Sequence, residues 1–168
     1  MSMLVSLMAL AVQAASAPPP AGPPQPLAWL LGSCWRGTFP HSTRVDTHCF
    51  TPMFGGAAFV RDRHVVLGTP TPYFGETIYR RDATRNRLVY DYYASDGGHS
   101  SGTVAPADGG LEFEDSYRGA DGGEMTIRSS WIRDGADAYL VRARVRQGNG
   151  WRELWQLRMT RAEAAPDD

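Results

Sequence analysis

The chain has 168 residues, 42% of them hydrophobic, and a formal net charge of −1 at neutral pH. This length suits one domain, and the balanced charge excludes the broad basic surface that nucleic acids and anionic membranes require. All 17 basic residues are arginine, so Schiff-base chemistry and the lysine-containing phosphate loop of nucleotide-binding proteins are excluded.

The N-terminal segment predicts an exported protein. Its first 25 residues carry no charged side chain, and an apolar run extends from Leu4 to Val12. Small residues follow at Ala14 and Ala17, a pattern that signal peptidases recognise. We therefore expect a signal peptide over residues 1–17, cleaved near residues 14–17, and an extracytoplasmic protein, either periplasmic or secreted. A true start codon further upstream would equally explain the lack of basic residues at the beginning of the chain.

Two short segments flank the predicted domain. Residues 18–26 are rich in proline, which does not join a sheet, and they predict an extended linker. Residues 162–168 predict a flexible tail. The N-terminal apolar run is shorter than a membrane span of about 20 residues, so no membrane span is expected.

Cys34 and Cys49 are the two cysteines of the chain. If the polar stretch 41–43 turns a hairpin, these residues lie directly opposite each other on neighbouring strands. Opposed residues have Cα atoms about 4.5–5.5 Å apart, which fits the geometry of a disulfide. Because an exported chain meets oxidising conditions, we predict a structural Cys34–Cys49 disulfide.

Two other roles for these cysteines are less favoured. Zinc could use both thiols with His41 and His48, but the four residues lack the spacing of zinc motifs. His48 and Cys49 would also point to opposite faces of one strand. The stretch from Leu31 to Cys34 resembles the end of a lipoprotein signal, but the prolines before it interrupt the apolar helix that such a signal needs. We predict no metal site.

An alternation of apolar and polar residues runs from Trp35 to Arg161, broken about every 8 to 14 residues by glycine, proline, asparagine or aspartate. It predicts ten strands, at residues 33–40, 44–52, 56–67, 73–81, 87–94, 99–105, 110–117, 123–133, 137–147 and 151–161. The turns between them are too short for parallel crossovers. We therefore predict an all-β domain over residues 27–161, a single up-and-down antiparallel barrel of about 8–10 strands with a short N-terminal helical turn.

The last strands predict an inward face. Mostly apolar residues share one face at every second position: Met125, Ile127, Ser129 and Trp131; Tyr139, Val141, Ala143 and Val145; Trp155, Leu157 and Met159. A three-residue loop at 148–150 would align the last two of these faces and place Glu153 inside with Trp155. A register shifted by one residue would instead pair Arg144 with Glu153 outside, and a single β-bulge can make that change.

The middle strands predict a second inward carboxylate. Phe74, Glu76 and Ile78 share one face, and Leu88, Tyr90 and Tyr92 share another. Pairing these faces sets Glu76 near Tyr90. Each inward carboxylate either neutralises an inward arginine such as Arg61, lies at the wet rim, or anchors a ligand in a mostly apolar cavity.

The opening of the predicted domain resembles that of calycin-type barrels. In this pattern a helical turn, here carrying Trp29 and Leu30, precedes Gly-x-x-Trp-x-Gly on the first strand, here Gly32 to Gly37. Further matches to a bacterial calycin-like family of unknown function are Phe50-x-Pro52, Gly55-Gly56, Glu76-x-Ile78, Leu88-x-Tyr90 and Phe113-Glu114. The likeness covers most of residues 27–161.

This resemblance implies a barrel of eight to ten strands around an internal cavity, as in lipocalins, fatty-acid-binding proteins and nitrobindin-like haem barrels. The haem-binding relatives use a histidine from their final strands, whereas the last histidine here is His99. No cofactor is therefore expected. His48, His64 and His99 are not in ligand spacing, and we expect them to be isolated surface or rim residues.

We weigh three functions. The first is binding of a small apolar or amphipathic molecule inside the barrel. Its predicted ligand-binding residues are Glu76, Tyr90, Tyr92, Trp131, Tyr139, Glu153 and Trp155. The second is an enzyme with Glu76 or Glu153 as general acid/base, which is less favoured because no catalytic triad, metal motif or nucleotide loop is present. The third is a structural or interaction protein of the envelope with a filled barrel. Neither a catalytic residue nor an oligomeric state is predicted.

Overall fold

The computed structural model describes residues 25–54 and 58–163. The predicted signal peptide over 1–17, residues 18–24 of the predicted linker and residues 164–168 of the predicted tail lie outside the described residues.

The described segments form a closed antiparallel barrel in which every strand pairs with the next and the last pairs with the first. Its ten strands are β1 (Ser33–Thr38), β2 (Val45–Pro52), β3 (Phe59–Leu67), β4 (Tyr73–Asp82), β5 (Arg87–Ala94), β6 (His99–Ala107), β7 (Gly110–Arg118), β8 (Glu124–Arg133), β9 (Ala138–Gln147) and β10 (Gly150–Ala162). The predicted all-β up-and-down barrel is confirmed. The architecture is the one expected of a calycin-like protein, and that assignment stays a prediction.

Short turns with glycine in the left-handed region reverse the chain between strands. Ala107 pairs with Gly110, so the β6–β7 turn consists of Asp108 and Gly109, and Gly109 has φ of 72°. Gly148, with φ of 57°, is the first residue of the two-residue turn between β9 and β10. Such two-residue turns need positive φ, which glycine adopts without strain.

The Cys34–Cys49 disulfide is confirmed. The two residues are directly paired between β1 and β2, with Cα atoms 4.1 Å apart. Both thiols are therefore used, and neither remains for the zinc site or the lipid attachment considered above. Because Trp35 and Phe50 beside them are fully buried, the bond lies on the outer face of the barrel.

Three apolar residues that precede β1 close one end of the barrel, and we call Leu27, Trp29 and Leu30 the end plug. A 3₁₀ turn covers Gln25–Leu27, and Leu27 and Leu30 are fully buried. Trp29 meets the ring of Trp35 edge-on at 5.8 Å and that of Tyr139 at 5.3 Å. The indole N–H of Trp35 donates to the carbonyl of Leu30 at 3.3 Å.

The predicted inward faces of β5, β8 and β9 are correct, and that of β4 is wrong. On β4, Thr77 and Tyr79 are buried, whereas Glu76 is exposed on the outer face and lies 3.8 Å from Arg61. Tyr90 therefore pairs with Tyr79 instead of Glu76. Both faces of β4 carry aromatic residues, with Tyr73 and Tyr79 on the inner face and Phe74 on the outer face.

A β-bulge in β10 divides the last hairpin into two parts, and each part has one of the two predicted registers. Near the turn, Glu153 pairs with Arg144, and beyond the bulge Trp155 pairs with Ala143. The extra residue, Leu154, brings Trp155 to the inner face while Glu153 stays at the exposed rim. The predicted inward placement of Glu153 is therefore wrong, and that of Trp155 is correct.

Candidate functional site

The barrel is a hollow cup with a cavity of about 1040 Å³. Its mouth lies at the end opposite the end plug and is bordered by Phe39, Ser42, Arg44 and Thr71. Its deep part reaches Met159, which is fully buried. A hollow of this size differs from the filled interior that the structural hypothesis requires.

The cavity wall has an apolar side and a polar side. The apolar side comes from β8, β9 and β10 and includes Ile127, Trp131, Val141, Trp155 and Met159. The polar side comes from β2 to β7 and includes Asp46, His48, Asp62, His64, Tyr90, Tyr92, Ser100 and Asp115. Val66 and Phe113 also line the polar side and Ser129 the apolar side, so the two sides differ in their predominant character, and the lumen is amphipathic.

Four ionisable residues of β2 and β3 form a compact cluster, which we call the His/Asp cluster: Asp46, His48, Asp62 and His64. The rings of His48 and His64 are stacked, with centroids 4.3 Å apart and planes 13° from parallel. Nδ1 of His48 lies 2.7 Å from a carboxylate oxygen of Asp62. Oδ1 of Asp46 lies 2.8 Å from Nε2 of His64 and 3.5 Å from Nε2 of His48.

The register of one hairpin creates this cluster. His48 of β2 is paired directly with His64 of β3, so the two imidazoles project side by side into the lumen. Asp46 lies two residues before His48, and Asp62 two residues before His64. All four therefore share the inner face, because side chains alternate along a strand.

Burial and charge act in opposite directions on the cluster. Burial raises the pKa of Asp46, but the neighbouring imidazoles of His48 and His64 outweigh this effect and hold that pKa well below its usual range. Burial lowers the pKa of His48, but the charges of Asp62 and Asp46 outweigh it and hold that pKa well above 6.5. His48 is therefore a buried cation between two carboxylates at neutral pH.

These shifts predict how stability depends on pH in the protein freed of divalent cations. The raised pKa of His48 gives stability that is complete below about pH 6.5 and lost as pH rises through its folded pKa. The lowered pKa of Asp46 gives stability that is complete above about pH 3.9 and lost as pH falls through its folded pKa. We therefore expect the cluster to stabilise most between about pH 4 and 6.5, measured by urea unfolding, and the imidazole protons of His48 to titrate well above pH 6.5 in NMR spectra. A midpoint for His48 below 6.5 would contradict this.

Tyrosines extend the polar side away from the cluster. The hydroxyl of Tyr90 donates to Asp115 at 2.5 Å, and those of Tyr73 and Tyr92 are 2.6 Å apart. Burial raises the pKa of Tyr73 to about 12 and also raises the pKa values of Tyr90 and Tyr92. The phenols therefore stay protonated, and they act as hydrogen-bond donors or acceptors but not as bases.

A glycine makes room for one of these rings. A Cβ on Gly75 would lie 2.5 Å from the ring of Tyr92, so glycine lets this ring approach β4 closely. This explains a glycine in the middle of a strand, where it costs conformational entropy.

Several buried polar atoms of the cavity wall have no hydrogen-bond partner among the described residues. They are Oδ1 of Asp46, Oδ1 of Asp62, Oδ1 of Asp115 and Nε2 of His64. The contact between Asp46 and His64 is short enough for an ion pair but lacks the orientation of a hydrogen bond. Because buried polar atoms normally have partners, these atoms identify the polar wall as the candidate site.

The seven predicted ligand-binding residues divide between the lumen and other places. Tyr90, Tyr92, Trp131 and Trp155 line the cavity, and Glu153 borders it near the mouth, 3.3 Å from Arg142. Tyr139 is fully buried beneath the cavity, against Trp131 and the end plug. Glu76 lies outside the barrel. Neither glutamate therefore has the apolar surroundings that a cavity acid/base requires.

The His/Asp cluster was not among the sites predicted from the sequence. His48 and His64 were expected to be isolated surface or rim residues, and this expectation is wrong: both face the lumen and touch each other. Only His99, on the outer face, is exposed as expected. The alternation of side chains along a strand contains the information that was needed. If Cys34 and Cys49 face outward with Trp35 inward, then His48 must also face inward.

None of the helices in the described part of the chain has the length and apolar character needed to cross a bilayer. No protein-family model matches the chain, and no curated protein matches it significantly.

Proposed function

We propose that this is an exported binding protein that holds a small amphipathic molecule in the lumen of its barrel. The observation that carries the proposal is the cup of about 1040 Å³ with one apolar and one polar side. This volume lies just above the range of about 300–1,000 Å³ that is typical of small-molecule sites. The disulfide is compatible with an oxidising compartment and so with export.

The polar wall favours a ligand whose polar end donates hydrogen bonds. The unpartnered oxygens of Asp62 and Asp115 are acceptors, so a hydroxyl, amine or amide group of a ligand would satisfy them. The apolar part of the ligand would lie against Trp131, Val141 and Met159 on the other side of the lumen. A ligand without the donor would leave a buried acceptor unpaired, which costs about 1–3 kcal/mol.

Two adjacent serines of β8 provide a matched test. Ser129 lines the lumen, and Ser130 pairs with Glu112 and Arg142 on the outer face. We expect Ser129→Trp to fill the cavity and weaken the binding of 2-naphthol by at least about tenfold, whereas Ser130→Trp binds like the natural protein. Equilibrium dialysis followed by naphthol fluorescence measures both. Equal binding by the two variants would place the probe outside the lumen and refute the proposal.

The donor itself is tested with a second probe. 2-Methoxynaphthalene keeps the apolar rings of 2-naphthol but lacks its hydroxyl hydrogen. We expect it to bind about tenfold more weakly, because a lost hydrogen bond to a buried carboxylate costs on the order of 1–3 kcal/mol. Mass spectrometry of solvent extracts from the purified protein would reveal a natural ligand of the same type. Tighter binding of the methoxy compound would exclude a donor-selective site.

A further inference from the structure

Three potential ligand atoms converge on one point of the polar wall. Asp46, His48 and His64 each offer one atom, and these atoms all lie within 4.8 Å of one another. The three residues come from two neighbouring strands whose register is fixed by regular pairing. A rigid pair of strands holds such a constellation more accurately than a loop does.

The orientation of both imidazoles is that of histidines in metal sites. Nδ1 of His48 is held by Asp62 at 2.7 Å, and Nδ1 of His64 lies 3.4 Å from the hydroxyl of Tyr92. Both Nε2 atoms consequently face Oδ1 of Asp46. Metal-ligating histidines almost always use the second ring nitrogen in this way, with a carboxylate or another oxygen fixing the ring.

The atoms that face each other lack ordinary partners. Oδ1 of Asp46 and Nε2 of His64 are buried without a hydrogen bond among the described residues, and Asp46 is only 2% exposed. A cation bound between them would satisfy both atoms at once. This is a second observation, independent of the residue types, that points to an occupant.

We propose that Asp46, His48 and His64 bind one divalent transition-metal ion, with Asp62 and Tyr92 as the outer partners that orient the histidines. Two imidazoles and one carboxylate suit zinc and iron(II), and such sites leave coordination positions open for water or a ligand. Here the open positions face the lumen, because all three residues line it. The ion binds through these protein ligands alone, so the proposed metal site does not depend on the binding of an organic ligand.

Metal binding requires His48 to release its Nε2 proton to solvent, and it requires a small rearrangement of the two rings. Stacked, nearly parallel imidazoles do not both direct Nε2 at one ion, so at least one ring tilts to bring each nitrogen within about 2.0–2.1 Å of the metal. The cavity beside the rings has room for this tilt. We expect the rings to separate on binding.

Calorimetric titration of the full chain with zinc chloride, after EDTA treatment and dialysis, tests the site. We expect one zinc ion per chain. His64→Gln should weaken binding by more than about 100-fold, beyond the 10–100-fold typical of losing an outer partner. His99→Gln, which alters an exposed histidine of β6, should bind like the natural protein. An absence of saturable binding, or binding by His64→Gln equal to that of His99→Gln, overturns the proposal.

A measurement on the unaltered protein guards against a variant that fails to fold. Nitrogen-15 spectra of the imidazoles should show zinc-dependent shifts at Nε2 of His48 and His64, with the signals of His41 and His99 unchanged. Shifts confined to His41 or His99 would assign the zinc to the surface and refute the site. Because no organic probe is present, this outcome is separate from the naphthol experiments.

Discussion

Replacing Asp62 with alanine should lower the free energy of unfolding of the metal-free protein by about 3 kcal/mol at pH 6. Asp62 is 1% exposed, and its carboxylate lies 2.7 Å from Nδ1 of His48. The replacement leaves a buried imidazolium without its nearest counter-charge, and breaking a buried ion pair in this way typically costs about 3–5 kcal/mol. Urea unfolding measures the change, with the slope of the transition compared between variants.

The same replacement should move the titration of His48. Burial lowers the pKa of His48, and the charge of Asp62 is the largest of the effects that raise it. Without Asp62 the pKa of His48 therefore falls, although the charge of Asp46 still raises it. The contribution of the imidazolium to stability is then lost at a lower pH than in the natural protein, because it disappears as pH rises through the folded pKa.

Two further variants control this experiment. Asp137→Ala removes an exposed carboxylate that pairs with Arg161, and a surface pair of this kind contributes little, so its unfolding should be nearly unchanged. Asp62→Asn keeps the volume and a hydrogen-bond acceptor but removes the charge, so its stability should lie between those of the natural protein and Asp62→Ala. If Asp62→Ala were as stable as Asp137→Ala, the cluster would not hold a buried charge pair.

The sequence predicted the barrel because the signals for it are local. Alternation and turn glycines depend on neighbouring residues, and they fix strand positions independently of the rest of the chain. The Cys34–Cys49 pair was predictable for a related reason: a single hairpin turn sets the register of β1 and β2. Long-range closure then follows, since β10 has β1 as its remaining neighbour.

The site was harder to predict because it contradicts the usual rule for inner faces. The rule assigns the more apolar face of a strand to the interior, which holds for β9, with its Val141 and Val145. In β4 it selects the face of Phe74 and Ile78, yet the lumen takes Thr77 and Tyr79. Because this side of the cavity is polar, the aliphatic and phenyl side chains of β4 point outward instead of inward.

Sequence spacing also hid the histidine pair. His48 and His64 lie on different strands, so no short ligand spacing such as His-x-x-x-His joins them. They meet because β2 and β3 pair in a register that sets the two residues opposite each other. The inward orientation of both histidines could have been predicted only by combining the outward orientation of the cysteines with the alternation of side chains along each strand. The bulge at Leu154 has no comparable signal, because an inserted residue leaves the composition of β10 unchanged.

Removing the disulfide should have the second large effect on stability. Replacing Cys34 and Cys49 together with alanine should lower the free energy of unfolding by about 3 kcal/mol, the chain-entropy value for a closed loop of about 15 residues. The bond restricts the unfolded chain, whereas alanine keeps both positions apolar in the folded state.

Because of its position, the disulfide also holds β1 in the barrel, in addition to restricting the loop that it closes in the unfolded chain. β1 is paired with β10 at three residue positions and with β2 at six. The disulfide therefore strengthens the side on which β1 is better attached, and β1 carries Trp35, against which the end plug packs. We expect the reduced natural protein and the double alanine variant to unfold at the same urea concentration, and added reductant to leave the variant unchanged. If reduction left the natural protein at its original midpoint, strand pairing alone would hold β1, and the bond would not be a determinant of barrel closure.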